Sequence, residues 1–175
     1  MSLPKEYQWL QKESGPKMLI EALKLYGTKE FFGTNHNQVI LDWAKVVGIP
    51  ELVKTDEQAW CGLFMAVVLQ RSGRPFVKEP LCARNWSKWG VPVNQAMLGD
   101  VMVFRRTGGG HVGIYVGEDA THFHVLGGNQ GNAVSIVRIA RSRLLSVQRP
   151  PYLNQPANVR VIRLAAVGVV SGNEA

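Results

Sequence analysis

The run VMVFRRTGGGHVGIYVGEDATHFHVLGGNQGNAVSIVRI, Val101–Ile139, decides the fold class. Four short segments in it are rich in β-branched and aromatic residues: Val101–Phe104, Val112–Val116, Thr121–Leu126 and Ala133–Ile139. Gly108-Gly109-Gly110, Gly117-Glu118-Asp119 and Gly127-Gly128-Asn129 separate them. Short β-rich segments between glycine-rich turns predict an antiparallel β-meander.

Upstream of the meander the periodicity is helical. Met18, Leu19, Ala22, Leu23 and Leu25 fall near helical spacing after Pro16, a residue suited to a first turn, and Gly27 ends the segment. A second helix is expected over residues 37–47, with Val39, Ile40, Trp43 and Val47 on one face and Gly48 as its stop. Thr55–Gln58 reads as a capping box, with Asp56 and Glu57 as first-turn acids favouring the helix dipole. The run Ala59–Leu69 behind it is apolar on all sides, the signature of a buried central helix. A shorter helix is expected over Ala83–Trp89. Helices first and strands second predict an α+β fold, with N-terminal helices packed on a C-terminal antiparallel β-meander. The expected organisation is an N-terminal extension over 1–15, one domain over 16–151 closed by Pro150-Pro151, and a tail over 152–175 with one extra strand in Val159–Val170.

The chain has 175 residues, 46% of them apolar, which suits a single core and is too apolar for a disordered chain. No stretch approaches the roughly 18 apolar residues of a membrane span. Met1–Gln11 is polar, with Pro4, Lys5 and Glu6, and reads as no signal peptide. The expectation is therefore synthesis in the cytoplasm. A formal net charge of +7 favours polyanionic partners, among them nucleic acid, acidic lipid and acidic wall polymer, without choosing between them.

Cys61 and Cys82 are the two cysteines. No CxxC pair or Cys/His cluster has zinc-ligand spacing, and a cytosolic thiol stays reduced. Cys61 falls in the first turn of the apolar helix, where unpaired amides lower a thiol pKa; as a free cysteine it reads equally as core. His111 follows three glycines and opens a strand, where it can project toward a helix end; the bland reading is a surface histidine beside a turn. Asn129 lies after the next strand, at the same end of the strand pair as His111, and suits a group that orients an imidazole; by itself it also reads as a turn residue tolerating a left-handed backbone. His122 and His124 share one strand face and suit a groove or solvent face better than a metal site, so no metal and no cofactor are expected. Trp60, Trp86 and Trp89 read as core, with one of them available to a substrate groove. Cys82 reads as structural and Asp100 as a turn residue.

Taken together, the order Cys, His, Asn and several local stretches resemble the CHAP family, the cysteine, histidine-dependent amidohydrolases/peptidases within the papain-like cell-wall hydrolases. The stretches are Ala59-Trp60-Cys61-Gly62, Leu98-Gly99-Asp100-Val101, Gly110 to Gly117 (GHVGIYVG) and Leu126-Gly127-Gly128-Asn129-Gln130. Ala83-Arg84-Asn85-Trp86 and Gln148-Arg149-Pro150-Pro151 resemble a branch found in phage lysins and antibacterial effectors. The resemblance covers about residues 16–151. It implies a papain-like fold and a peptidoglycan amidase or endopeptidase with Cys61 as nucleophile, His111 as base and Asn129 as orienting group. Trp60, Gly110 and Gln130 beside them are the expected substrate contacts. One departure is Gly127, where many relatives carry a glutamate two residues before the asparagine; His124 is a further candidate for the orienting role. The expected partners are bacterial peptidoglycan and an immunity or delivery protein, with no nucleic acid and a monomeric chain. Action in the periplasm or wall would follow delivery by a pore, a secretion machine or a phage. The rival readings are a catalytically inactive wall-binding or structural domain of the same fold, and a basic nucleic-acid-binding module built on Arg138, Arg141, Arg143 and Arg149.

Overall fold

The structure is a computed structural model that describes residues 2–31, 33 and 35–172. Among them are three α-helices: α1 (Lys17–Lys24), α2 (Gln38–Val46) and α3 (Cys61–Arg71). Six strands follow: β1 (Val91–Pro92), β2 (Val101–Arg106), β3 (Gly109–Glu118), β4 (His122–Gly127), β5 (Ser135–Ala140) and β6 (Leu144–Arg149). They form one antiparallel sheet in the order β1-β6-β2-β3-β4-β5. The chain is therefore α+β, with the expected meander running from β2 to β5.

The sheet is wider than a meander. β6 returns across it to pair with β2, Met102 facing Val147, and carries β1 on its far side. Asp100 and Arg149 explain that return. Asp100 is fully buried and accepts Arg149 Nε at 3.0 Å and Nη2 at 2.8 Å, a two-pronged pair joining the starts of β2 and the end of β6. Asp100 is thus no simple turn residue: it ties two of the familiar stretches, Leu98–Val101 and Gln148–Pro151, together. Burial raises its pKa, with Arg149 and the Met97 amide acting in the opposite direction.

The helices cover one face of the sheet. Every side chain of α3 from Cys61 to Leu69 is buried, as its all-round apolar sequence requires. α1 adds Met18, Leu19 and Ala22 to the same core. On α2, Ile40, Trp43 and Ala44 face inward while Val39 is half exposed, so the expected face turns by one residue. Asn37 caps α2, its side chain accepting the Val39 amide at 2.9 Å. The opposite face of the sheet folds around Met102, Phe104, Tyr115, Phe123 and Val125.

Three expectations are corrected by the packing. The helix expected to begin at Ala59 begins at Cys61, and Thr55–Gln58 is a turn. Gln58 does reach back to the Thr55 amide, as a capping box would, but also to that of Lys54, and so closes a loop. Asp56 is fully buried and accepts the amides of Phe31 and Asn37 and the Nδ1 of His36; it holds these three residues together rather than serving a dipole. The 152–172 tail forms no strand. It straps the sheet through single bridges, Glu118 with Arg163 and Arg138 with Val170, and Leu164 packs where Gly117 has no side chain.

The segment before residue 16 belongs to the same core. Its 3₁₀ turn, Lys5–Lys12, buries Tyr7 and Leu10. The Tyr7 hydroxyl lies 2.7 Å from His124 Nδ1, and His124 Nε2 lies 3.0 Å from Asp119 Oδ2. Burial acts to raise the Asp119 pKa, but Arg138, two backbone amides and His124 outweigh it and hold the carboxyl ionised. An ionised carboxylate only accepts, so His124 carries its proton on Nε2 and accepts a hydrogen bond from the Tyr7 hydroxyl at Nδ1. His124 therefore lies in a buried structural network, not in a groove, and is not available to orient His111.

Candidate functional site

The site forms where the start of α3, the start of β3 and the loop after β4 meet. Cys61 is the first residue of α3 and is 4% exposed. Gly62 behind it lies against the Pro80 carbonyl so closely that a Cβ has no room. The backbone amides of Val112, Gly62 and Cys61 itself act to lower the Cys61 thiol pKa. Burial nevertheless dominates and raises the thiol pKa, against these amides and the Arg106 charge. The expectation that the helix start would lower it is corrected: desolvating a thiolate costs more here than the oriented amides recover.

His111 is the residue before Val112. It is the third residue of β3, not its first, since Gly109 and Gly110 already pair with Arg106 and Arg105. It is fully buried, not a surface side chain. Its Nε2 lies 3.0 Å from Gln130 Oε1. Gln130 Nε2 donates to Val125 O at 3.1 Å and Ser135 O at 2.6 Å. Those two carbonyls fix which end of the amide is nitrogen, so Oε1 is the acceptor toward His111. The histidine must then carry its proton on Nε2, which makes Nδ1 the basic nitrogen of the neutral ring.

The loop after β4 places Gln130 there. Asn129 adopts a left-handed backbone, φ 56°, which asparagine tolerates better than most residues. Gln130 N bonds Ala133 O at 2.9 Å and Ser135 Oγ donates to Gln130 O, closing the turn. Gly128 lets this loop lie on α3: a Cβ there would sit 2.6 Å from Phe64 Cβ and 2.7 Å from Trp60 Cζ3. A Cβ at Gly127 would come within 2.8 Å of Gln130 Oε1 and 3.2 Å of His111 Nε2. That crowding leaves no room for a side chain at residue 127.

Asn129 and Gln130 sit differently from the expectation. Asn129 is buried, and its side chain makes no hydrogen bond among the described residues; it shapes the turn. Gln130, expected to touch substrate, is 3% exposed and holds His111. Trp60 is also core: it is 1% exposed and donates from Nε1 to Glu30 Oε1 at 2.6 Å. Of the expected substrate contacts only Gly110 reaches the surface, in part; a Cβ added there would lie 3.0 Å from Arg84 Cγ. Trp86 and Trp89 are buried, as expected of core residues. Cys82 is exposed and free, not a packed structural residue.

The basic run near the C-terminus is largely neutralised. Arg138 pairs with Asp119, Arg141 with Glu118 and Arg149 with Asp100. Among the described residues no group of three His, Cys, Asp or Glu could hold a metal ion, and no helix is long and apolar enough to cross a membrane. No protein-family model matches the chain, and no curated protein matches it.

Proposed function

We propose that the protein is a papain-like cysteine hydrolase that cleaves an amide bond of bacterial wall peptide. The observation that carries the reading is the hydrogen-bond chain that ends at His111: Gln130 fixes the Nε2 proton and leaves Nδ1 as the basic nitrogen, and the amide of the next residue, Val112, favours the Cys61 thiolate. The resemblance in the stretches around Cys61, His111 and Gln130 supplies the substrate class.

Because burial keeps the thiol protonated at neutral pH, the thiol must lose its proton during attack. His111 Nδ1 takes that proton as Sγ bonds to the amide carbonyl carbon. The amides at the start of α3 stabilise the resulting oxyanion. The C–N bond breaks, and Nδ1–H returns the proton to the leaving amine. Water then adds to the thioester, giving one proton to Nδ1; the S–C bond breaks and the sulfur recovers that proton. Gln130 serves as the positioning residue that holds the imidazole and its tautomer throughout. With Cys61 and His111 both buried, this chemistry requires the site to open to substrate. Action on the wall also requires delivery to the periplasm or the outer surface.

That same burial favours a second reading, a domain that keeps the fold and binds wall without cutting it. One comparison separates the two. Cys61→Ser should abolish release of fragments from purified peptidoglycan while Cys82→Ser, at an exposed position, retains it, with folding checked by circular dichroism. Native-rate release by folded Cys61→Ser protein rules out the mechanism, and no release by the unaltered protein selects the non-catalytic reading. Mass analysis of the fragments identifies the bond.

A further inference from the structure

Five tryptophans are present, and among the described residues only Trp60 gives its indole N–H to a charged group. Trp86 and Trp89 donate to the backbone carbonyls of Pro80 and Pro75, and the buried indole nitrogens of Trp9 and Trp43 have no acceptor among these residues. Burial of an indole therefore does not by itself demand a carboxylate in this fold. Glu30 Oε1 nevertheless accepts Trp60 Nε1 at 2.6 Å. Holding a carboxylate there has a cost: burial raises the Glu30 pKa, the Trp60 bond opposes the rise, and the charges of Asp56 and Glu57 add to it. What the carboxylate gives in return is a bond roughly twice as strong as a neutral one, which fixes the ring more firmly.

The ring in question supports the site. Trp60 is the N-cap of α3, next to Cys61. The loop after β4 rests on its indole: a Cβ at Gly128 would lie 2.7 Å from Trp60 Cζ3. Trp43 packs edge-on against the same ring, with centroids 5.9 Å apart. Through its backbone Glu30 also reaches that loop directly, since Glu30 N donates to Asn132 O at 2.9 Å, and Gln130 N closes the loop on Ala133 O. One residue thus bonds both the helix start that bears Cys61 and the loop that bears Gln130, the partner of His111.

We propose that Glu30 is a positioning residue of the site: its carboxylate, acting through the Trp60 indole, fixes the surface on which the 127–130 loop rests and so keeps Gln130 against His111. The assignment rests on the hydrolase reading above, but its test needs no turnover. The full-length, nitrogen-isotope-labelled protein is read by NMR at the His111 ring nitrogens, which report the ratio of the Nε2–H to the Nδ1–H tautomer. Glu30→Ala lowers that ratio about three- to tenfold, the size of coupling expected between groups in one bonded network. Glu30→Gln, which keeps an oxygen for the indole, restores most of it. Trp60→Phe keeps a ring under Gly128 without the N–H and lowers the ratio alike; the double variant is no worse than either single one, because both changes remove the same bond. Glu57→Gln, at an exposed position, removes a neighbouring charge without touching the bond and leaves the ratio unchanged. An unchanged ratio in folded Glu30→Ala protein overturns the proposal, as do additive effects of Glu30→Ala and Trp60→Phe or an equal loss in Glu57→Gln. If Glu30→Ala does not fold, an unchanged ratio in Trp60→Phe overturns it. A His111 response in a protein that releases no wall fragments would sink the hydrolase reading alone; wall hydrolysis with His111 indifferent to Glu30 would sink the positioning role alone.

Discussion

Gln130→Leu removes three hydrogen bonds at one near-isosteric stroke: the acceptor for His111 Nε2 and the donors to Val125 O and Ser135 O. Two of them are buried and the one to Ser135 O is partly buried; in such surroundings a satisfied bond contributes about 1 kcal/mol and a stranded partner costs about 1–3 kcal/mol. The expected loss of stability is therefore about 3–5 kcal/mol, measurable by urea unfolding. Against a typical domain stability of about 5–15 kcal/mol, folded protein should persist. The catalytic loss is separate. Without the Gln130 acceptor the imidazole loses a tautomer bias of about 1–2 kcal/mol, so activity per folded molecule falls about five- to thirtyfold. Gln130→Glu keeps an acceptor toward Nε2 but loses both donors, so it should be as unstable as the leucine variant yet recover part of the activity. Asn129→Gly suits the left-handed backbone at φ 56° and should leave activity within about threefold. The assay is fragment release from purified peptidoglycan, normalised to folded protein. A larger loss in Asn129→Gly than in Gln130→Leu would refute the assignment of the positioning role.

Arg149→Met strands the buried Asp100 carboxylate and should cost about 3–5 kcal/mol at pH 7. The Asp100 pKa already lies above its usual value, through burial, and losing Arg149 raises it further; the cost therefore shrinks at acid pH, where the carboxyl is neutral in both proteins, and a pH-independent cost in urea titrations would contradict this. Because the Cys61 thiol pKa is raised by burial, alkylation of Cys61 by iodoacetamide should be slow at pH 6 and quicken as pH rises past the ordinary thiol value of 9.0; fast, pH-flat labelling from pH 5 to 8, read by peptide mass, would instead reveal a resting thiolate–imidazolium pair. Gly128→Ala should push the loop off Trp60 and Phe64 and cost activity through displacement of Gln130, with the His111 ring resonances in an NMR spectrum shifting relative to the unaltered protein. Unchanged resonances together with unchanged activity would show that the loop has slack the packing denies.

Local pattern was enough to establish the α+β class, the buried helix that begins near Cys61 and the four strands of the meander. Each depends on periodicity within a few residues, because a helix apolar on all sides or a β-rich run between glycine turns has few other ways to hide its surface. The exposed Val39 shows how small the error of such reasoning is: one residue on one face. What local pattern could not reach are partnerships between residues remote in the chain. Arg149 finds Asp100 across 49 residues, and only that pair and the β2–β6 ladder reveal that the chain returns to lie between β1 and β2. Tyr7 reaches His124 across 117 residues, which makes the N-terminal segment part of the core and removes His124 from the candidate site. The choice between Asn129 and Gln130 was also beyond the sequence. Adjacent residues in a loop point in different directions, and the left-handed backbone at Asn129 decides that the amide turned toward His111 belongs to Gln130. The sequence by itself determined which side chains could do this chemistry; the tertiary structure decided which of them meet, because a single backbone dihedral redirects a side chain that composition and spacing leave free.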